Sequence, residues 1–95
     1  MIRAMDNWWH FRVVAHLARG EPIVSPAKGA ESICARDPES AARKWHWRLT
    51  DEQRGRVDRL IVWGPPADCC ATPRWTGPTI VYRPRAGQLV EIERR

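Results

Sequence analysis

The segment DPESAARKWHWRL at residues 37–49 contains the clearest structural signal in the chain. Asp37 is a strong helix N-cap, and Pro38 suits the first helical position. The apolar residues that follow at helical spacing predict one buried face, which comprises Ala41, Ala42, Trp45 and Leu49. Trp47 stands two residues from Trp45 and therefore points about 200° away around the helix. The segment thus predicts one tryptophan in the core and another outside it.

Strands are predicted on the N-terminal side of this helix. The run NWWHFRVVAHLARG at 7–20 is rich in aromatic and β-branched residues and ends at a glycine. Because side chains alternate along a strand, one face is expected to be core, with Trp9, Phe11, Val13, Ala15 and Leu17. The other face is mixed aromatic and basic, with Trp8, His10, Arg12, Val14 and His16. Short strands are also predicted around 23–24 and at 31–35, the latter antiparallel to the first strand.

Residues 50–63 admit two interpretations. In one, Thr50 and Gln53 form a capping box that starts a second helix, which would run to the glycine and proline at 64–65. In the other, the first helix continues to about Arg54, and residues 56–63 form a strand. The valine, isoleucine and tryptophan content of the segment favours the strand.

The C-terminal third predicts a loop followed by a hairpin. Residues 64–78 hold four prolines and two glycines and are expected to be a long irregular loop. Strands near 79–83 and 88–93 flank a turn that contains Gly87.

The order of elements predicts a single compact α+β domain over residues 1–95, in which residues 1–6 are expected to be disordered. It is a small two-layer sandwich with one main helix on a mainly antiparallel sheet of about four to five strands.

The cysteines point to neither a disulfide framework nor a metal site. There are three of them, Cys34, Cys69 and Cys70, and the last two are adjacent. An odd number in this arrangement predicts reduced thiols, as in the cytosol. No paired spacing of histidine and cysteine typical of metal sites is present, so no metal and no other cofactor are expected.

Catalytic motifs are equally absent from the sequence. There is no nucleophile elbow and no glycine-rich phosphate loop, which predicts a protein that is not an enzyme. The less favoured alternative is a small metal-independent ribonuclease that would use His10, Arg12 and His16 of the first strand.

Tryptophan and arginine favour a binding function. Six tryptophans in 95 residues are more than a core of this size can bury completely. Trp9, Trp45 and Trp63 fit the core, and the others do not. Exposed tryptophan and arginine are enriched at protein-binding hot spots, and single-stranded nucleic acid also stacks on them. The candidate partner-binding residues are Trp47, Arg43, Arg54, Trp8, Arg12 and Trp75.

The surroundings of Trp47 allow two interpretations. Arg43 lies one helical turn away, so the two side chains are predicted to stack as a cation–π pair on an exposed surface. Alternatively, the loop at 64–78 folds over Trp47 and buries it.

The net charge of +5 is spread along the chain rather than gathered in one stretch. A nucleic-acid-binding protein usually concentrates its positive charge, so a protein partner is preferred and nucleic acid is the alternative.

The sequence at the start of the predicted helix resembles a pattern found in other proteins. A strand followed by ARDPESAARKW, residues 35–45, is similar to a pattern in many small phage and mobile-element proteins. In general style the chain resembles anti-CRISPR and other counter-defence proteins. This resemblance implies an inhibitor that docks on a host protein or nucleoprotein complex in the cytosol, as a monomer or a homodimer. No apolar run is long enough for a signal peptide or a membrane span, so no membrane partner is expected.

Overall fold

The computed structural model describes residues 8–18, 22–23, 31–65 and 73–95. The elements in chain order are β1 (Trp9–Leu17), β2 (Pro22–Ile23), β3 (Glu31–Ala35), α1 (Pro38–Trp47), α2 (Asp51–Arg56), β4 (Val57–Trp63), β5 (Ile80–Arg85) and β6 (Gln88–Arg94). The strands form one antiparallel sheet with the order β2-β1-β4-β5-β6, and β3 also pairs with β1. Because β2 and β3 share one edge of β1, six strands fill five positions. The predicted α+β fold is confirmed, whereas residues 1–6 lie outside the described residues.

The core lies between α1 and one face of the sheet. The predicted inner face of β1 is confirmed, since Phe11, Val13 and Ala15 are fully buried. On α1, two alanines allow the helix to approach the sheet closely, and the indole of Trp45 fills the space beside them with no exposed surface. Within the part of the chain that the structure describes, no helix is long and apolar enough to cross a membrane.

The connection from α1 to β4 combines both interpretations of residues 50–63. Thr50 accepts from the backbone N–H of Gln53 at 3.2 Å, and the side chain of Gln53 accepts from the N–H of Thr50 at 2.9 Å. This capping box starts α2, but the helix ends at Arg56 and β4 follows directly. A continuous helix to Arg54 is therefore wrong, because α1 ends at Trp47. The extension of a second helix to 64–65 is wrong as well, because the β-branched segment pairs in the sheet.

The β5–β6 hairpin reaches further than its pattern predicts. β5 continues through Pro84 to Arg85, and the turn consists of Ala86 and Gly87 alone. Both turn residues have positive φ, 52° and 80°, as a two-residue turn between twisted strands requires. The predicted role of Gly87 is confirmed, and the positive φ of Ala86 was not anticipated. The longer β5 carries Arg85 to the end of the sheet where α1 terminates.

The far end of the predicted loop returns to the sheet. The N–H of His10 donates to the carbonyl of Pro73 at 2.8 Å, and the N–H of Trp75 donates to the carbonyl of His10 at 3.0 Å. The ring of Trp75 stands edge-on to Trp9 at 6.0 Å and tilted to Phe11 at 5.2 Å. Trp75 therefore closes one end of the core. The part of the loop at 66–72 lies outside the described residues.

Two glycines provide a matched test of this packing. A Cβ on Gly64 would lie 1.7 Å from the carbonyl oxygen of Trp75, whereas a Cβ on Gly55 in α2 would meet nothing within 4 Å. Gly64→Ala should therefore lower the free energy of unfolding by about 1–3 kcal/mol, as overpacking does. Gly55→Ala should raise it by about 0.5–1 kcal/mol, because alanine is the better helix former. Urea unfolding of both variants measures the difference, and equal stabilities would contradict the docking of Trp75 against Gly64.

Tyr82, the single tyrosine of the chain, reports on the core through its ionisation. Burial, reinforced by the carboxylates of Glu91, Glu39 and Asp37, raises its pKa to about 12. The unfolded chain ionises near pH 10, so stability should fall as the pH rises from about 10 to about 12. Phenolate absorbance should therefore appear together with loss of the circular dichroism of the sheet. Phenolate formation near pH 10 in a folded chain would contradict the burial of Tyr82.

Candidate binding surface

Trp47 is the most exposed large apolar side chain of the described residues. Its side chain is 69% exposed, whereas Trp45, two residues earlier, is completely buried. The opposite orientations that the helical spacing predicts are thus confirmed. The interpretation in which the loop buries Trp47 is wrong, since most of this side chain is exposed.

Arg54 fixes the position of Trp47. Its guanidinium carbon lies 4.8 Å from the centroid of the Trp47 ring, a cation–π arrangement. The same guanidinium donates to the carbonyl oxygens of Trp47 at 3.2 Å and of Leu49 at 2.6 Å, and it forms an ion pair with Asp51. Carbonyls at the end of a helix have no partner inside the helix. Arg54 therefore caps the end of α1 and supports the exposed indole at the same time.

Arg43 does not make the predicted stack with Trp47. Its guanidinium forms an ion pair with Glu39, one turn towards the start of α1. A glutamate placed four residues before an arginine has the favourable orientation for such a pair, and Arg54 occupies the ring of Trp47 instead. The predicted interaction partner is therefore wrong, although Arg43 still lies beside Trp47 on the surface.

A groove opens between the end of α1, α2 and the β5–β6 turn, and it encloses about 460 Å³. We call it the Trp47 groove and define it by Arg43, Trp47, Arg54, Val57, Arg85 and Leu89. Val57 and Leu89 are half-buried hydrophobic residues at the margin of the core. None of the residues that line the groove is acidic. The site therefore combines an apolar floor with a positively charged rim.

A second hollow of about 580 Å³ lies on the outer face of α1. It is lined by Ser40, Arg43, Lys44, Trp47 and Arg48. Trp47 therefore forms a ridge between the two hollows. A ridge of this kind presents both edges of an indole to a partner, and the neighbouring charges are basic on each side.

His46 lies in the wall of the Trp47 groove, next to the capping arginine. Partial burial lowers its pKa below the usual value, and the nearby charge of Arg54 lowers it further, against an opposing hydrogen bond to the backbone. The unfolded chain therefore binds this proton more readily than the folded chain does. Stability contributed by neutral His46 is present above about pH 6.5 and is lost as the pH falls below that value.

The lowered pKa of His46 predicts that the melting temperatures of the parent and of a His46→Gln variant depend differently on pH. The melting temperature of the parent should fall between about pH 7.5 and pH 5.5, and His46→Gln should remove part of that fall because glutamine does not titrate. Thermal unfolding of both proteins at the two pH values measures the effect. An identical fall in the variant would show that His46 is not shielded from water.

The remaining predicted partner-binding residues lie elsewhere. Trp8 is half-buried, with the Lys44 ammonium 4.6 Å and the Arg36 guanidinium 5.5 Å from its ring centroid. Arg12 lies on the sheet face away from α1, directly opposite Trp63. Trp63 is therefore not part of the core, in contrast to the prediction, because Val62 beside it takes the inward orientation. For Trp75 the structure reveals a packing role, and binding through its exposed remainder stays a prediction.

The residues of the alternative ribonuclease site do not converge. His10 and His16 lie six residues apart on the extended β1, a span of about 20 Å, so they cannot act on one phosphate group. Among the described residues, no cluster of three or more histidine, cysteine or acidic side chains is placed to hold a metal ion. Cys34 is free and exposed, and Cys69 and Cys70 lie outside the described residues.

The hairpin side of the groove was not predicted from the sequence. Arg85 and Leu89 meet the end of α1 only because β5 and β6 extend beneath it. No local pattern links these residues to Trp47, since they are far apart in the chain and each fits an ordinary strand. The continuation of β5 through Pro84 to Arg85 leaves no signal in the local sequence that would identify the contact.

Comparison of the chain with models of protein families, with curated proteins and with solved structures found no match. The surface itself carries the indication of function: an exposed indole on a helix, flanked by arginines and by a groove whose lining residues include no acidic side chain.

Proposed function

We propose that this chain is a non-enzymatic protein-binding module that docks through Trp47 on a larger protein or nucleoprotein complex and inhibits it. The observation that carries the proposal is the 69% exposure of an indole that α1 and Arg54 hold in place. The resemblance of the helix entry to phage and mobile-element proteins, and that of the chain in size and architecture to counter-defence proteins, add the finer part of the proposal. The chain would act as a phage or mobile-element inhibitor, of the anti-CRISPR or another counter-defence type, in the host cytosol.

The energetics of Trp47 support a docking role. Covering the exposed part of this indole removes about 100–170 Å² of largely apolar surface from water, which is worth about 2.5–4 kcal/mol. The ring is already held by Arg54, so little side-chain freedom remains to be lost when a partner binds. Tryptophan and arginine in such an arrangement are the residue types that most often dominate protein interfaces.

A capture experiment with matched variants tests the proposal. Tagged parent, Trp47→Ala and Val90→Ser are exposed to nuclease-treated host lysate, and the retained proteins are identified by mass spectrometry. Val90 is the control because it is also an exposed apolar residue, at 43%, but lies on β6. We expect one protein or complex to be retained by the parent and by Val90→Ser and lost by Trp47→Ala. Identical retention by all three proteins would contradict docking through Trp47.

Nucleic-acid binding is the second candidate, and the open face of the sheet favours it. Arg12, Arg59 and Arg83 lie on the face away from α1, with Trp63 opposite Arg12. Arg59 and Arg83 are each 3.7 Å from the carboxylate of Asp58, which reduces the charge that they offer to phosphate. The protein-binding proposal is preferred for this reason.

Salt dependence separates the two candidates. An affinity for oligonucleotides that falls steeply with salt concentration and is insensitive to Trp47→Ala would favour the sheet face as the functional surface. Binding to a protein that survives nuclease treatment and depends on Trp47 favours the first proposal.

A further inference from the structure

We infer that the Trp47 groove receives an acidic peptide segment of the partner, with one apolar side chain of that segment seated on the groove floor. This inference rests on the proposed docking function and adds the chemistry of the occupant. It concerns the groove on the hairpin side of Trp47, which is distinct from the hollow on the outer face of α1.

The charge of the groove defines the first requirement on its occupant. Three arginines line it without any acidic residue. Arg85 is exposed and has no ion pair within the described part of the chain. The carboxylates that pair with Arg43 and Arg54 do not line the groove, and both are substantially exposed to water. The pair of Arg43 with Glu39 is exposed on both sides and therefore weak, so a carboxylate arriving in the groove can share Arg43 at little cost.

The floor of the groove defines the second requirement. Val57 and Leu89 are partly buried hydrophobic residues that pack at the margin of the core, and Trp47 borders them. If the occupant carried only charged side chains, Val57 and Leu89 would remain in contact with water or with polar groups of the occupant, which is unfavourable. The volume of about 460 Å³ is in the range of natural ligand pockets and suits a short peptide better than a flat protein surface. A segment with acidic residues on both sides of one large apolar residue meets both requirements.

The isotope-labelled 95-residue chain is titrated with the blocked peptide Asp-Glu-Leu-Glu-Asp and followed by nuclear magnetic resonance. We expect shifts at the indole N–H of Trp47 and at the backbone N–H groups of Gly87 and Leu89. Replacing the leucine of the peptide by serine should weaken binding about tenfold or more. Equal affinity of the two peptides, or shifts confined to other surfaces, would overturn the inference.

A matched pair of variants controls for general electrostatic attraction. Arg85→Glu reverses a charge in the groove, whereas Arg36→Glu makes the same change beside Trp8, away from it. The groove variant should bind the peptide at least about tenfold more weakly than the parent, and the remote variant should stay within about twofold. Equal weakening by both variants would overturn the inference, as would an oligonucleotide of equal charge that binds the groove as tightly.

The outcome is separable from that of the proposed function. If the peptide leaves the groove unaffected while Trp47→Ala still abolishes capture of a host complex, the docking function stands and the acidic occupant is wrong. If the peptide occupies the groove while capture does not depend on Trp47, the docking function is wrong and the groove retains only its affinity for acidic peptides.

Discussion

Replacing Trp45 by alanine is expected to lower the free energy of unfolding by about 3–5 kcal/mol. The indole is completely buried at the centre of the contact between α1 and the sheet, beside Ala41 and Ala42. Neither alanine can extend to fill the space that the ring would leave, so the cavity persists. A domain of this size is typically stable by only about 5–15 kcal/mol, and much of that margin would be lost.

Trp45→Phe is the matched control for this prediction. The Nε1–H of Trp45 is buried and has no hydrogen-bond partner among the residues that the structure describes. Phenylalanine removes that donor and keeps most of the apolar volume, so its cost should be clearly smaller than that of alanine. Urea unfolding of the three proteins gives the comparison. A Trp45→Ala variant with the stability of the parent would contradict the placement of α1 on the sheet.

The parts of the fold that were predicted correctly depend on short-range rules. The N-cap of Asp37 is confirmed by the hydrogen bond that its side chain accepts from Ser40 at 2.7 Å. The alternation of β1 and the capping box at Thr50 are also confirmed, because each acts over a few neighbouring residues. The strand favoured for residues 56–63 is confirmed as β4. The predicted end of the helix at about Arg54 is wrong, because the capping box at Thr50 starts a separate short helix directly before that strand.

The candidate site could likewise be predicted from the sequence only where it depends on neighbouring residues. The outward orientation of Trp47 follows from the helical repeat alone and is confirmed. Its neighbour Arg54 and the hairpin residue Arg85 are brought there by the turn into α2 and by the pairing of β5 with β6. The docking of Trp75 beside His10 likewise depends on sheet contacts between residues distant in the chain. Such contacts leave no periodic signal in a single sequence.

Trp47→Ala is expected to weaken partner binding strongly while changing the free energy of unfolding very little. The side chain is mostly in water, and its main contact is the cation–π interaction with Arg54. At exposed sites this interaction contributes about 0.5–1 kcal/mol, so the loss of stability should not exceed about 1 kcal/mol. Loss of a hot-spot tryptophan from an interface costs about 2 kcal/mol or more, which corresponds to about a thirtyfold weaker complex.

The most direct measurement of the central claim compares these two quantities for the same variant. The affinity of Trp47→Ala for the captured partner is measured by calorimetry, and its free energy of unfolding is measured by urea titration. We predict affinity reduced at least about thirtyfold, with unfolding changed by no more than about 1 kcal/mol. Unchanged affinity, or a loss of stability comparable to that of Trp45→Ala, would contradict a docking surface at Trp47.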